Sequence, residues 1–324
     1  MSQQNSYPDR PGQRRKWIDQ YRPQRNKLDP WFPYAFQNEK ELSPDNRLID
    51  SSVIFLTNRE CPWHCVMCDL WKNTLRSSVP EGAIPHQIEH ALGQLPPAEQ
   101  VKLYNSGSFF DRKAIPIADY DSIASQLKSF NRIIVESHPD LIGEDTLRFR
   151  DKLNGQLEVA MGLETAHPDV LEKLNKGITL ESFRKAASFL DQHDIDLRVF
   201  ILVKPPFMNE DEGLEWACKS LDFSFDVHAA VAILIPTRGG NGAMELLAKE
   251  GLFSPPDLHT LEKAFDYGLK LKKRGRIFVD LWDLEKFSDC PECFSKRKSR
   301  LQEMNITQKI QHYSKCEVCN FNER

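Results

Sequence analysis

The sequence predicts an α/β protein in which repeated βα units surround a parallel sheet. Two observations carry this prediction. From residue 51 onward, apolar runs of strand length alternate with longer amphipathic segments. The apolar runs are nearly continuous in Val, Ile and Leu, as expected for strands that are buried on both faces. The 324 residues suffice for one α/β barrel with an extension at each end.

Six strands are predicted, and a seventh segment is a candidate edge strand. The six runs are 53–57, 101–104, 132–136, 157–162, 197–203 and 229–235, and the edge candidate is 277–281. Helical periodicity occupies the intervals, for example 85–95, 119–130, 167–175 and 179–194, where Thr179 and Ser182 provide a start signal. In α/β barrels function gathers at the carboxyl ends of the strands, so residues that follow each strand are the candidate site.

Composition divides the chain into three parts: a basic N-terminal extension (1–45), a core (46–285) and a cysteine-containing tail (286–324). Residues 1–28 hold seven Lys or Arg against two Asp, and residues 290–324 hold seven against four Glu, so the core between them is acidic. Basic ends suggest contact with a polyanion such as tRNA or another RNA. For the N-terminal part, a solvated tail explains the same pattern equally well.

The sequence has no apolar run of 18 residues and no apolar stretch typical of a signal peptide, so we expect a cytoplasmic protein without a membrane partner. In a reducing cytosol, its eight cysteines are expected to bind metal rather than to form disulfides. Seven of them fall into two groups. Cys218 stands alone in a helical segment and is interpreted as a small core residue.

The first group, in "RECPWHCVMCDLW", directly follows the first predicted strand. It consists of Cys61, Cys65 and Cys68. Thiolates suit iron-sulfur clusters, and three of them can hold three irons of a 4Fe-4S cube while the fourth iron stays open to a small molecule. The alternative is a three-cysteine zinc site completed by His64 or by a distant residue.

This CxxxCxxC spacing in a loop after the first strand resembles the signature of the radical S-adenosylmethionine (SAM) superfamily, over roughly residues 50–285. The resemblance implies that the core forms a partial (β/α)6 TIM-like barrel, with a 4Fe-4S cluster on the three cysteines and SAM on the open iron. It also implies a radical enzyme, which cleaves SAM to a 5′-deoxyadenosyl radical that abstracts hydrogen from a substrate. The electron would come from a donor such as flavodoxin or ferredoxin.

The resemblance places the SAM contacts at the strand ends. After the second predicted strand, an SGS triplet occupies the position of the family's GGE-like turn, without its acid. Glu164, after the fourth predicted strand, is expected to accept hydrogen bonds from the ribose hydroxyls. Glu136, after the third, is expected to face SAM or substrate, and Lys204, after the fifth, is expected to bind a carboxylate or phosphate. These cofactor-binding residues are Ser106, Gly107, Ser108, Glu136, Glu164 and Lys204. Arg238 is a further candidate cation, and Met67 stands where the family usually has an aromatic residue.

The segments "VESHPD", "GLETAHPDVLEKLNKGIT" and "VKPPFMNEDE" resemble one branch of the superfamily, which contains the Elongator catalytic subunit and the radical SAM subunit of archaeosine synthase. This branch implies a tRNA base or a nucleotide-derived molecule as substrate. Two alternatives stay open: a non-catalytic iron-sulfur and zinc protein that binds RNA, and a radical SAM enzyme that acts on a peptide or small metabolite.

The second cysteine group forms two CxxC hooks separated by 22 residues in the tail. It consists of Cys290, Cys293, Cys316 and Cys319. Four thiolates in two hooks favour a closed structural zinc site, with an auxiliary iron-sulfur cluster as the alternative. The cations between the hooks, Lys296, Arg297, Lys298 and Arg300, are expected to form a basic face that meets RNA phosphates.

Overall fold

The computed structural model of the protein describes residues 6–271, 275–313 and 315–319, so residues 1–5 of the predicted extension and 314 and 320–324 of the predicted tail lie outside it. The strands are β1 (Ala35–Leu42), β2 (Leu48–Phe55), β3 (Gln100–Tyr104), β4 (Arg132–Glu136), β5 (Gln156–Glu164), β6 (Asp196–Val203), β7 (Val231–Pro236) and β8 (Arg276–Val279). The helices are α1 (Pro11–Tyr21), α2 (Ala83–Leu92), α3 (Tyr120–Gln126), α4 (Glu144–Arg150), α5 (Pro168–Lys173), α6 (Leu180–Gln192), α7 (Glu210–Asp226), α8 (Ala243–Lys249), α9 (Leu258–Lys270) and α10 (Pro291–Thr307).

One eight-stranded sheet organises the protein, with its strands in chain order from β1 to β8. Strands β2 to β8 are parallel, and β1 pairs with β2 in the antiparallel sense. The six predicted strands correspond to β2–β7, and the candidate edge strand is β8. The sheet curls until Arg276 of β8 donates to the Leu42 carbonyl of β1, beside an apolar contact of Leu42 with Val231 and Phe278. The predicted α/β partial barrel is therefore confirmed.

Two elements in the N-terminal extension were absent from the prediction. Strand β1 pairs with β2 along its whole length, and helix α1 buries Trp17 and Ile18 in an apolar cluster with Val66, Leu174 and Met244. The β1 sequence "AFQNEKEL" is mostly polar, because one of its faces meets the ionic interior of the barrel rather than an apolar core. The interpretation of this segment as a solvated tail is thus wrong for the residues from α1 onward.

The two faces of the sheet have different surroundings. Outward-facing residues such as Val101, Val199 and Ala232 join the main core under the helices. Inward-facing residues at the lower, amino-terminal half form a buried ionic floor, in which Arg198 donates to Glu41 at 2.7 and 3.0 Å and also to Glu158. Burial alone would raise the pKa of Glu41, but Arg198 and Lys102 together hold it well below its usual range.

The exposed edge of β8 is covered by side chains of α10. Gln308, just after the helix, accepts from the Ile277 N–H at 2.8 Å and donates to the Ile277 carbonyl at 2.7 Å. Asn305 accepts from the Val279 N–H and donates to the Val279 carbonyl, both at 2.9 Å. Two side-chain amides therefore take the place of a ninth strand, which protects an edge that would otherwise invite pairing with another chain.

The predicted basic face on the tail is wrong for two of its four cations. Arg297 and Arg300 are buried under α9, where Arg297 pairs with Glu262 at 2.8 Å and Arg300 pairs with Asp266 at 2.7 Å. Cations on a helix that packs against an acidic neighbour turn inward because each pair satisfies both partners. In the ranges that the structure describes, no helix is long and apolar enough to cross a bilayer.

Candidate functional site

The loop after β2 carries Cys61, Cys65 and Cys68, all of them partly buried. It is held from two sides. The Val66 N–H donates to the Leu174 carbonyl at 3.0 Å, and the Asn241 amide donates to the carbonyls of Val66 and Cys68 at 2.7 and 3.0 Å. These contacts order the loop before any metal is bound, which lowers the entropic cost of assembling its three thiols around a cofactor.

The three thiols lie in desolvated surroundings, and the ammonium group of Lys176 is near them. Burial raises the pKa of Cys61 to about 12 and that of Cys68 to about 11, and it raises the pKa of Cys65 well above the usual range, while Lys176 acts in the opposite direction on Cys65. Free thiols here are protonated at neutral pH, so a metal must displace their protons. Lys176 then lies beside the anionic ligands that result.

The three thiols do not converge as ligands of one ion. Among the described residues, only the four tail cysteines bring three or more His, Cys, Asp or Glu ligand atoms within 4.8 Å of one another. His64, the proposed fourth zinc ligand, places Nδ1 2.5 Å from Asp19 Oδ1. Three thiols that do not converge on one point fit a cluster in which each thiolate binds its own iron better than a single shared zinc ion.

The SGS turn after β3 lies directly against the cysteine loop. A methyl group on Gly107 would come within 3.2 Å of the Cys61 Cβ, which is tighter than an ordinary van der Waals contact, so glycine suits this close approach. Glu136, at the end of β4, accepts from the backbone N–H groups of Asn105 at 2.5 Å and Gly107 at 3.3 Å. Burial raises the pKa of Glu136 to about 7. The neighbouring strand thus supplies a carboxylate to a turn that has none of its own.

Glu164 ends β5 with a left-handed backbone, next to a shift of register that begins at Gly162. Its Oε1 lies 2.5 Å from the Lys176 ammonium in a buried ion pair. The Lys176 carbonyl lies 3.0 Å from Nε2 of His138, which stacks on Trp63 of the cysteine loop with ring centroids 3.5 Å apart. Glu164 is therefore connected to the cysteine loop through Lys176 and two stacked rings.

The remaining predicted residues have other partners. The Ser108 hydroxyl accepts from the His138 N–H at 2.9 Å, which joins the ends of β3 and β4. The Lys204 ammonium contacts Glu210 at 2.5 Å, Ser254 Oγ at 2.8 Å and the Pro255 carbonyl at 3.2 Å, so it fastens the start of α7. The structure brings the cysteines, the SGS turn, Glu136 and Glu164 together, and it directs Lys204 to a neighbouring loop.

Sequence reasoning missed Lys176, His138 and Asn241. His138 lies two residues after the end of β4, and Lys176 and Asn241 lie in turns between elements. Only the folded chain shows the contacts that these three residues make. Met67, which stands where the family usually has an aromatic residue, packs against the apolar cluster that contains Val66. The sequence carries no signal for these contacts, because they join segments that are distant along the chain.

An aromatic wall lines the barrel interior between the ionic floor and the strand ends. The side chains of Tyr34, Phe55, Tyr104 and Phe200 are all partly exposed. Successive ring centroids lie 5.6, 6.1 and 6.2 Å apart, and the Tyr34 hydroxyl lies 3.1 Å from Ser106 Oγ. The interior beneath the SGS turn can therefore receive an apolar or planar group.

The four tail cysteines form a compact group. The sulfur of Cys290 lies 3.8 Å from that of Cys316, and the sulfur of Cys293 lies 3.7 Å from that of Cys319. Three of the four are buried, and their ligand atoms all lie within 4.8 Å of one another. The tail can hold a metal.

Comparisons with known proteins agree with this geometry. No protein-family model matches the sequence. An uncharacterized protein of Methanocaldococcus jannaschii is 24% identical over 86% of this chain and 82% of that protein, and archaeosine synthase subunit beta of Methanosarcina acetivorans is 26% identical over 54% of this chain and 53% of that subunit. The structure of Elp3 from the archaeon Methanocaldococcus infernus superposes with a TM-score of 0.51 at 15% identity, covering 68% of this chain and 59% of that one.

The chain has the same fold as this Elp3. The resemblance drawn from the cysteine spacing and the strand-end segments is thereby confirmed at the level of the fold, and both relatives of the proposed branch, Elp3 and archaeosine synthase subunit beta, are among the similar proteins. The chain spans about half the length of the archaeosine synthase subunit that it matches.

Proposed function

We propose that the protein is a radical SAM enzyme in which Cys61, Cys65 and Cys68 hold a 4Fe-4S cluster. The observation that carries the proposal is the packing of the three-cysteine loop against the strand-end residues that face the barrel interior, above all the contact of Gly107 with Cys61. When bound, the reduced cluster supplies the electron that cleaves SAM to a 5′-deoxyadenosyl radical, which abstracts hydrogen from the substrate.

The residues around this loop have separate roles in the proposal. Glu136 orients the N–H groups of the SGS turn, and its carboxylate supplies the acceptor for the SAM ammonium that the turn itself lacks. Glu164 is assigned to the ribose hydroxyls, with Lys176 fixing its carboxylate. The aromatic wall excludes water from the interior, so that the reacting groups meet only each other.

The substrate that we propose is a tRNA base or a nucleotide-derived molecule. Two observations support it. Three rings of the aromatic wall, those of Phe55, Tyr104 and Phe200, offer stacking surface to a planar ring. The similarity to archaeosine synthase subunit beta supports the same class, because it extends the resemblance that the strand-end segments already showed.

Anaerobic reconstitution with iron and sulfide, followed by dithionite and SAM, tests the proposed activity. We expect 5′-deoxyadenosine from the wild type and none from Cys65→Ala, with Cys218→Ala as the matched cysteine control that keeps activity. Absence of the nucleoside from the wild type would favour the non-catalytic RNA-binding alternative. Nucleoside profiles of tRNA from a deletion strain then test the substrate class, since an unchanged profile would contradict it.

We also propose that the tail site binds zinc. Tetrahedral thiolate ligands at a zinc-sulfur distance of about 2.3 Å lie about 3.8 Å apart, which agrees with the sulfur separations of 3.7 and 3.8 Å. The site would fix the start of α10 to the segment that follows the helix. Metal analysis of Cys316→Ala is expected to show loss of about one zinc with iron unchanged, whereas loss of iron would indicate an auxiliary cluster.

A further inference from the structure

A basic cavity of about 800 Å³ opens on the outer side of the cysteine loop, with Cys61 in its wall. Its walls come from α1 and the segment after it, the cysteine loop, and the loops that follow β3 and β4. Six cations face three carboxylates across it. The cations are Arg15, Arg22, Arg25, Arg59, Arg76 and Lys113.

Two of these cations are fixed by one shared carboxylate, and three others remain available. Arg22 and Arg25 both pair with Glu60, at 2.5 and 2.6 Å, and both lie over the Trp71 ring. They form a wall whose charge is balanced by Glu60 together with Asp19, which lies 3.4 Å from Arg22. In contrast, within the described ranges the side chains of Arg59, Arg76 and Lys113 make no ion pair, and the last two are exposed.

The cavity is separate from the interior where a substrate would react. None of the aromatic wall residues lines it, and neither does Glu136 or Glu164. A substrate whose hydrogen is abstracted must reach the interior, so a partner that occupies the basic cavity meets the cysteine loop outside the interior. At that position a partner can deliver an electron, but it cannot present a reacting atom.

We propose that this Cys61 face is the docking surface for an acidic electron-carrier protein. The inference rests on the proposed function, because it assigns the supply of the electron on which that function depends. The carrier loses one electron from its reduced cofactor and the cluster held by Cys61 gains it, with no other bond formed or broken. Free cations around a cluster ligand attract an acidic carrier over distances of about a Debye length and orient it at the cavity.

The double charge reversal Arg76→Glu with Lys113→Glu tests the docking surface. With reduced flavodoxin or reduced ferredoxin as donor, we expect the KM for the donor to rise about tenfold or more at low salt, while the dithionite-driven rate of 5′-deoxyadenosine formation stays within about twofold of wild type. Binding of the oxidised carriers to the loaded protein, measured calorimetrically, should weaken in parallel. The neutral variant Arg76→Gln with Lys113→Gln should fall between the two.

Lys128→Glu is the matched control, since Lys128 is exposed at the opposite, amino-terminal end of the strands. It should leave donor binding unchanged. Wild-type affinity of the reversed variant for both carriers would overturn the proposal, as would a selective loss of affinity for bulk tRNA, which would make the cavity a nucleic-acid surface. Failure of the proposed function is distinguishable, because it would remove the dithionite-driven reaction of the wild type.

Discussion

At the scale of single residues, Glu136 has the property that is easiest to test. Burial raises its pKa to about 7 from an ordinary value near 4.5, so ionisation costs stability in the folded state. The stability that the protonated Glu136 carboxyl contributes is present in full below pH 4.5, and it is lost as the pH rises through 7. Relative to Glu136→Gln, the SAM-free wild type should therefore lose up to roughly 3 kcal/mol of stability between pH 5 and 8.

The measurement for Glu136 is the difference in thermal midpoint between wild type and Glu136→Gln across that pH range. The difference should move by several degrees in favour of the variant. Glu144→Gln, which changes an exposed carboxylate on α4, is the control whose midpoint should track that of the wild type. Parallel curves for Glu136→Gln would show that the carboxyl is not desolvated.

The buried pair of Lys176 and Glu164 leads to a second residue-scale prediction. Lys176→Met leaves the Glu164 carboxylate buried without its partner, which typically costs about 3–5 kcal/mol. Adding Glu164→Gln removes the stranded charge, so the double variant should be more stable than Lys176→Met alone. Thermal midpoints of Lys176→Met, Glu164→Gln and the double variant give the coupling, and additive losses would contradict a direct pair. All three variants should also bind SAM less tightly while they keep their iron.

At the scale of elements, the sequence predicts strands and their ends better than it predicts what covers them. Strands β2–β8 were found because their outward faces are apolar, and the strand-end residues Glu136 and Glu164 follow from their bounds. Strand β1 was missed because its inward face is ionic, and Lys176 was missed because its partner Glu164 lies on another segment. Hydrophobic periodicity predicts which residues are buried in apolar surroundings. It does not predict buried charges, because their ion-pair partners are brought to them only by folding.

The amide side chains that cover β8 lead to an element-scale prediction. Asn305→Ala and Gln308→Ala each leave an N–H and a carbonyl of the edge strand without their partners, at a cost of about 1–3 kcal/mol each. Hydrogen exchange at Ile277 and Val279 should accelerate, and the double variant should aggregate more readily. Gln302→Ala, on the exposed side of the same helix, is the control. Unchanged exchange in the double variant would mean that other groups protect the edge.

At the scale of the whole molecule, the ionic floor and the candidate site lie at opposite ends of the barrel interior. The floor lies at the amino-terminal ends of the strands and the candidate site at their carboxyl ends, with the aromatic wall between them. Arg198 connects Glu41 of β1 to Glu158 of β5, so this side chain ties strands together that lie far apart in the sheet. The buried ion pairs of the floor therefore lie away from the residues that are proposed to bind SAM.

Arg198→Met tests whether the floor holds the barrel together. The substitution leaves Glu41 and Glu158 buried with fewer cations, and we expect a loss of about 3–5 kcal/mol at neutral pH. Without Arg198, burial raises the pKa of these carboxyls, so the deficit should shrink as the pH falls and they become protonated. Thermal midpoints at pH 6 and 8 measure this change, with exposed Arg148→Met as control. A deficit that stays the same at both pH values would mean that lost packing, rather than stranded charge, destabilises the variant.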